Sequence, residues 1–384
     1  MRDAAEAISA VIESDRILTP EGLGPGCLAI AGERIAGVLE TPPPGAERID
    51  ARGRLVLPGV VDIHGDAFER QIMPRPGTAF PLDIALLETD RQLVANGITT
   101  AFHGVTVSWE PGLRGIESAR AIVEALGRLR PRLGADTRLH IRWETFALDC
   151  VEMVEHWLDA VPTPILALND HTTMTVEKAR PANKLARDAE RAGLSPEEYR
   201  AHLQAVWARR AEVPRAIERM GAAASKAGAV LLAHDERTVA ERERFRALGA
   251  VASEFPMTRE TAAAARAAGE HTVLGAPNVL RGGSHNAALH AGDAVRQGLC
   301  TVLASDYYYP APLLAAFRLI REGMSVPQAW ALVSANATAV AGLGDRGGLA
   351  AGRRADILIV DDADPALPRV ASTMVAGRTV YRSG

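Results

Sequence analysis

From residue 60 onward, short apolar runs recur along the chain, and each closes on polar or titratable residues. They are VVDIH (60–64), ITTAFHGV (98–105), RLHIRWE (138–144), PILALNDH (164–171), AVLLAHDE (229–236), AVASEF (250–255), TVLGAPN (272–278) and TVLASDY (301–307). Near-continuous apolar strands are what a parallel sheet covered on both faces requires. Between them lie Ala-, Arg- and Glu-rich stretches with helical spacing: GIESARAIVEALGRLR (115–130), RETAAAARAAG (259–269) and LLAAFRLIREG (313–323). Eight strands alternating with helices predict an α/β fold, a (β/α)8 TIM-type barrel. An open, doubly wound sheet is the alternative. It is weakened because no G-x-G-x-x-G follows the first strand.

The interval from His171 to Ala229 is too long for one helix. Within it, SPEEYRAHLQAVWARR (195–210) has Ser195 as N-cap, Pro196 at the first helical position and Glu198 two later, a capping box. A helical excursion over 176–227 therefore follows the fourth strand. Such excursions serve as lids, or as packing and oligomer contacts. The ends of the chain follow another grammar. Residues 11–57 hold VIESDRILTP, GCLAIAGERIAGVLE and RLVLPG between turns, and 348–384 hold GLAAGRRADILIVDD and RVASTMVAGRTVYRSG. Short antiparallel strands are predicted there. The expected organisation is a small β-sandwich domain built from residues 1–57 and 345–384, flanking a barrel over 58–344.

Bulk properties narrow the function. An apolar content of 47% and a charged content of 23% are those of a soluble globular protein. A net charge of −4 gives no reason to expect nucleic acid or an anionic membrane as partner. Cys27, Cys150 and Cys300 lie far apart, form no C-x-x-C and offer no thiolate metal cage, which fits a cytoplasmic protein. The N-terminus does not read as a signal peptide.

In a (β/α)8 barrel the active site lies at the C-terminal ends of the strands. The residues expected there are His64 and Asp66, His103, Glu144, Asn169 with Asp170 and His171, His234 with Asp235 and Glu236, Glu254, Asn278, and Ser305 with Asp306. Each alone reads as a hydrogen-bonded loop residue. Crowded on one rim, carboxylates and imidazoles need a cation to be satisfied. In a strand, residues two apart point the same way, so His64 and Asp66 aim at one point. The donor set predicts two divalent ions about 4 Å apart. One would sit on His64, Asp66, Glu144 and Asp306, and the other on Glu144, His171 and His234, with Glu144 as the bridge. Zinc, manganese, iron and nickel all accept such ligands, with two zinc ions as the expectation. Metal lowers the pKa of bound water to about 7, giving a hydroxide nucleophile. Asp306 is the expected general base, or else a ligand only. His140, set back from the strand end, is expected to be packed, and His103 to orient a ligand.

His64-x-Asp66, His234, Asp306 and the GLAAGRRADILIVD tail resemble the amidohydrolase superfamily. The usual superfamily pattern begins His-x-His, and Glu254 stands where many members have histidine. HGDAFERQIMPRPG (64–77), EFPMTRETA (254–262), LGAPNVLRGGSH (274–285) and ASDYYYP (304–310) are similar to the branch of α-D-ribose 1-methylphosphonate 5-triphosphate diphosphatases. That resemblance implies cleavage of a ribosyl 5-triphosphate to pyrophosphate and a 5-phosphate, in phosphonate catabolism. It carries metal binding onto the six ligands named above, and phosphate binding onto Arg75 and Arg281. Arg grips phosphate oxygens bidentately, and Gly282–Gly283 would let backbone N–H groups approach an anion. Asn278, Ser284 and His285 would add polar contacts. Read without the resemblance, RGGSH is an ordinary glycine-rich turn. The branch pattern His-Thr-Asp-Asn-Leu is here His64-Gly65-Asp66-Ala67-Phe68, and HGVTVSW (103–109) also departs from it. Those departures keep a second expectation open: hydrolysis of a cyclic amide, a lactone or an exocyclic amine. A non-catalytic scaffold is a third, weakened by six converging ligands. The expected partner is a small phosphorylated molecule, with a homodimer implied by family analogy alone.

Overall fold

The computed structural model describes residues 7–177, 182–282 and 289–383. Five strands come first: β1 (Ala10–Thr19), β2 (Gly22–Ala31), β3 (Arg34–Leu39), β4 (Glu47–Asp50) and β5 (Leu55–Pro58). Eight more form the barrel: β6 (Val60–Gly65), β7 (Ile98–Val107), β8 (Asp136–Glu144), β9 (Ile165–Asn169), β10 (Val230–His234), β11 (Ala252–Glu254), β12 (His271–Gly275) and β13 (Val302–Ala304). The chain ends with β14 (Ile357–Asp361), β15 (Arg369–Val375) and β16 (Arg378–Arg382).

Strands β6 to β13 pair in chain order, each parallel to the next. A parallel bridge between Gly65 and Asp306 links the last strand to the first. Each of the eight apolar runs holds one of these strands. Their pleat sorts the side chains. In β8, Leu139, Ile141 and Trp143 pack in one cluster with Ile122 and Leu126 of the helix Ile116–Leu129. The alternate residues His140, Arg142 and Glu144 therefore face the barrel interior, where all three are buried. Deeper inside, Val61, Ile63, Phe102, Ile165, Leu232 and Val302 form a core with Ala337 and Val340. Each large apolar side chain so buried contributes roughly 1.5–3 kcal/mol. That gain offsets the cost of enclosing charged groups in the same barrel.

The terminal strands form one sheet in the order β16-β15-β14-β5-β1-β2-β3, with β4 on β1. Both ends of the chain build it, as the turn-rich grammar predicts. It is not wholly antiparallel, because β1 runs parallel to β4 and β5. Bonds from barrel helices and loops anchor this junction. Trp330 Nε1–H donates to Pro58 O at 2.9 Å, Ser334 Oγ–H to Gly59 O at 2.8 Å, and Arg346 Nη1–H to Asp136 Oδ2 at 2.6 Å.

The excursion after β9 consists of helices His171–Glu177, Ala182–Ala192, Pro196–Ala208 and Val213–Ala227. The Ser195 capping box is present in both directions. Leu185, Ala189, Ala192 and Tyr199 pack against Trp109, in the loop after β7. Tyr199 O–H and Arg191 Nη2–H both donate to Glu110, at 2.5 and 2.8 Å. The excursion thus closes one side of a polar cavity of about 90 Å³, lined by Glu110, Arg114, Glu144 and His171 among others.

Candidate metal centre

The C-terminal ends of the barrel strands bring together three groups of donor atoms. His64, Asp66 and Asp306 form one, His171, His234 and Asp235 a second, and His64, His140 and Glu254 a third. Within each group one nitrogen or oxygen per residue lies within 4.8 Å of the others. Backbone bonds build the first group: Asp66 N–H donates to Asp306 O at 2.8 Å, and Asp306 N–H donates to His64 O at 2.9 Å. Three residues that follow strand ends, Asp235, Phe255 and Asp306, have φ of 58°, 54° and 54°. Left-handed backbone at a non-glycine residue is strained, and such strain clusters at functional sites. Here it turns two carboxylates inward and sets the Phe255 ring edge-on against both His64 and His234.

Glu254 lies at the centre of the histidines and is fully buried. Its Oε1 is 2.8 Å from His64 Nδ1, and its Oε2 is 2.7 Å from His234 Nδ1. A carboxylate accepts only, so both rings carry their proton on Nδ1 and present Nε2 as a lone pair. His140 Nε2 stands 3.6 Å from Glu254 Oε2 while its Nδ1 bonds Ile63 O at 2.8 Å. Burial works to raise the Glu254 pKa, but His64, His140 and His234 outweigh it and hold the carboxyl well below the usual range. This ionised, buried carboxylate, which orients two imidazoles that each belong to a donor group, is an arrangement that fits a cation. The candidate ligands are those of the first two groups, His64, Asp66 and Asp306 on one side and His171, His234 and Asp235 on the other.

The bridging role expected for Glu144 is not where its side chain is placed. It belongs to none of the three donor groups. Its Oε2 accepts from the His171 backbone N–H at 3.1 Å, and its Oε1 from the Thr172 backbone N–H and hydroxyl at 3.2 and 2.7 Å. His171 Nδ1 is 3.4 Å from Oε2. Glu144 therefore sits behind His171 and orients it, because the chain turns into a helix directly after β9 and offers its first N–H groups to the nearest carboxylate. The position between the donor groups is taken by Arg142. Its Nη1 donates to Asp66 Oδ2 at 3.2 Å, and its Nη2 lies 3.3 Å from His234 Nε2.

The charges interlock. Burial and the neighbouring Asp66 carboxylate push Asp306 up to about 7. Burial would raise Asp66 as well, but Arg142, Arg114 and His64 outweigh it and hold Asp66 below its ordinary value. Asp235 is held down to about 2, since His234 and His171 overcome the effect of burial. Burial holds the His234 ring below its ordinary value. His103, buried beside Phe68, is pushed down to about 4 by burial alone and belongs to none of the donor groups found among the described residues.

The substrate-side residues are less gathered. Arg75 is exposed, in a turn where Thr78 N–H bonds Arg75 O. Asn278 lies in the helix Ala276–Arg281, and its Oδ1 is buried with no hydrogen-bond partner among the described residues. An added Cβ at Gly275 would meet Asp306 Oδ2 at 3.2 Å and Asn278 Nδ2 at 3.7 Å, so those two side chains flank one spot. Arg281 Nη1–H donates to Tyr307 O–H at 3.3 Å, and Arg70 stacks over the Tyr307 ring. Gly282 ends that helix in the left-handed conformation. Gly283, Ser284 and His285 lie outside the described residues.

Gly65 has a steric reason. A Cβ there would lie 2.7 Å from Asp62 Oδ2 and 2.9 Å from Ser305 Oγ. Those two atoms are themselves bonded at 2.5 Å inside the barrel. The space a threonine would take is already filled. Sequence reasoning placed Glu254 and Asp235 on the rim but gave them no role, and passed over Arg142. The signal for Arg142 was the strand pleat, which puts it on the same face as His140 and Glu144.

Comparison with known proteins agrees with this architecture. Residues 103–381 match the Amidohydrolase family. The chain is 29% identical over 364 residues to the alpha-D-ribose 1-methylphosphonate 5-triphosphate diphosphatase of Escherichia coli (strain K12), covering 92% of this chain and 96% of that one. Among solved structures, N-isopropylammelide isopropylaminohydrolase from Burkholderia multivorans ATCC 17616 superposes with a TM-score of 0.65 at 19% identity, over 97% of this chain and 98% of that one. A Xaa-Pro dipeptidase with bound methionine does so with a TM-score of 0.66 at 13% identity, over 97% and 100%. These two share the fold. From the family match and the shared barrel, the chain belongs to the amidohydrolase family and is a hydrolase of that superfamily.

Proposed function

We propose that this hydrolase is a metal-dependent diphosphatase that cleaves the α–β phosphoanhydride of α-D-ribose 1-methylphosphonate 5-triphosphate, or of a close analogue. The observation that carries the reading is the likeness to the Escherichia coli diphosphatase along nearly the whole of both chains. The cavity is polar and the rim carries guanidinium groups, which suits a polyanion better than a neutral ring. A divalent ion held by the donor groups, zinc, manganese or iron, would lower the pKa of a water and offset charge on the phosphoryl oxygens. The chain's own groups do the rest. Asp306, whose backbone is tied to His64 and Asp66 at the strand ends, takes the proton of the attacking water. The water oxygen bonds to phosphorus as the anhydride P–O bond breaks, so pyrophosphate and a 5-phosphate leave. Arg281 and Arg75 meet the phosphate chain, with Gly282, Gly283, Ser284 and His285 as further donors beside it. Asn278, next to Asp306, adds a polar contact to the substrate.

The departure at Gly65 does not favour a different substrate, because the Asp62–Ser305 pair already accounts for it. We place the enzyme in the cytoplasm, where its three cysteines stay reduced. Phosphorus NMR on the metal-loaded protein with the ribosyl triphosphate tests the reading. Pyrophosphate and a 5-phosphate are expected in equal amounts. Intact triphosphate together with turnover of hydantoins or lactones would replace this reading with amide or ester hydrolysis.

A further inference from the structure

Arg142 stands where the first two donor groups meet. Its side chain is buried, and its Nε has no hydrogen-bond partner among the described residues. Gly104 makes room for it: a Cβ at that position would lie 3.1 Å from Arg142 Cδ. The two contacts it makes leave different things behind. Asp66 gives the guanidinium one carboxylate oxygen and keeps the other. His234 has nothing to spare. Its Nδ1 is committed to Glu254, and its Nε2 faces Arg142 at 3.3 Å. An imidazole nitrogen has one in-plane lone pair, so it cannot accept from a guanidinium and hold a cation at once. The group of His171, His234 and Asp235 therefore lacks one of its three ligands. The group of His64, Asp66 and Asp306 keeps all of its own.

We infer that the centre holds a single divalent ion, on His64, Asp66 and Asp306, and that the Arg142 guanidinium stands in for the second cation. There it neutralises Asp66, is anchored by His234, and turns its remaining N–H groups toward the phosphoryl oxygens of the substrate. The inference rests on the metal-dependent reading above and deepens it. Arginine suits the task because its planar fork matches phosphate oxygens. His171 and Asp235 are then substrate-facing groups rather than ligands.

Metal counting on the intact chain tests this. The protein is loaded with excess Mn²⁺ or Zn²⁺, freed of loose metal, and weighed by native mass spectrometry beside elemental analysis. One ion per chain is expected in the wild type, one in His171→Ala and none in His64→Ala. Arg142→Met, which keeps the stem and removes the charge, is expected to take up two. Arg142→Gln serves if the first variant fails to fold, as judged by circular dichroism. Two ions in the wild type would overturn the inference, as would loss of the ion in His171→Ala. A count that stays at one in both Arg142 variants would remove Arg142 from the role of second cation. No ion in the loaded wild type would overturn this inference and the metal-dependent reading together. One ion without triphosphate turnover would uphold the centre and defeat only the proposed substrate.

Discussion

The Oε1 atom of Glu254 lies 2.8 Å from Nδ1 of His64, on a carboxylate that no water reaches. The same carboxylate holds His234 at 2.7 Å through its other oxygen. One side chain therefore sets the tautomer of two rings, and with it the direction of both Nε2 lone pairs. Glu254→Gln keeps the shape but leaves a single acceptor and adds a donor, so one ring must turn or change tautomer. Metal affinity is expected to fall about 10–100-fold, the range typical when a group orienting a metal-bound histidine is lost. A competition titration with a chelating indicator measures it. An affinity equal to wild type would show that Glu254 has no part in orienting the ligands.

Glu144 accepts from the backbone of His171 and Thr172, which fits an orienting role rather than a bridging one, and its variants should behave accordingly. Glu144→Ala frees His171 and strips two backbone N–H groups and the Thr172 hydroxyl of their acceptor. Hydrogen bonds to a charged group are worth about 1.5–3 kcal/mol, so a lower melting temperature is expected. A fall in kcat of tenfold or more should accompany it, with the number of bound ions unchanged. Loss of an ion in Glu144→Ala would return Glu144 to the ligands.

A metal held by these donors, which come from strand ends far apart in sequence, would bind the folded chain and find no such site in the unfolded one. Binding to the native state alone stabilises by about 2.7 kcal/mol at a hundredfold excess over Kd. Chelation followed by dialysis should lower the melting temperature, and added Mn²⁺ or Zn²⁺ should restore it. A melting curve that does not move after confirmed metal removal contradicts this.

His103 gives the fold an acid-sensitive limb. Burial pushes its folded-state pKa down to about 4, whereas the unfolded chain takes up the proton near 6.5. Between those values acid favours the unfolded state. The contribution is fully present above pH 6.5 and is lost as pH falls toward 4, amounting to about 3 kcal/mol for this residue. Denaturant titrations from pH 7 to 4 should show that loss, and His103→Leu should flatten part of it. An identical slope in the variant would mean that His103 is not held neutral by burial.

Arg281 donates to the Tyr307 hydroxyl, and the proposed function sets its guanidinium against the phosphate chain. Arg281→Ala is expected to raise KM for the ribosyl triphosphate at least tenfold, consistent with loss of a charge-assisted contact. Steady-state kinetics on the triphosphate measure this. A KM equal to wild type would remove Arg281 from the binding site.

The pattern of apolar runs by itself determined the barrel. Each run from VVDIH to TVLASDY carries its strand, because a strand buried on both faces must be apolar nearly throughout and few other contexts ask for that. It also determined which residues reach the rim, since function collects where those runs end. His64, Asp66, His171, His234 and Asp306 were legible in that way. Tertiary structure decided what each does there. Glu144 and Glu254 look alike in sequence, each a carboxylate closing a strand. One meets the first N–H groups of the helix His171–Glu177, and the other meets two imidazoles stacked 5.4 Å apart. Those partners come from strands distant in the chain, so no local pattern could rank them. Arg142 was hidden for a related reason: in RLHIRWE a charged residue reads as solvated until barrel closure turns its face inward. Gly65 likewise reads as a lost side chain until Asp62 and Ser305, 243 residues apart, are seen to fill its space. Strand pattern follows from local burial, whereas pairing inside a closed barrel depends on which side chains the closure brings face to face.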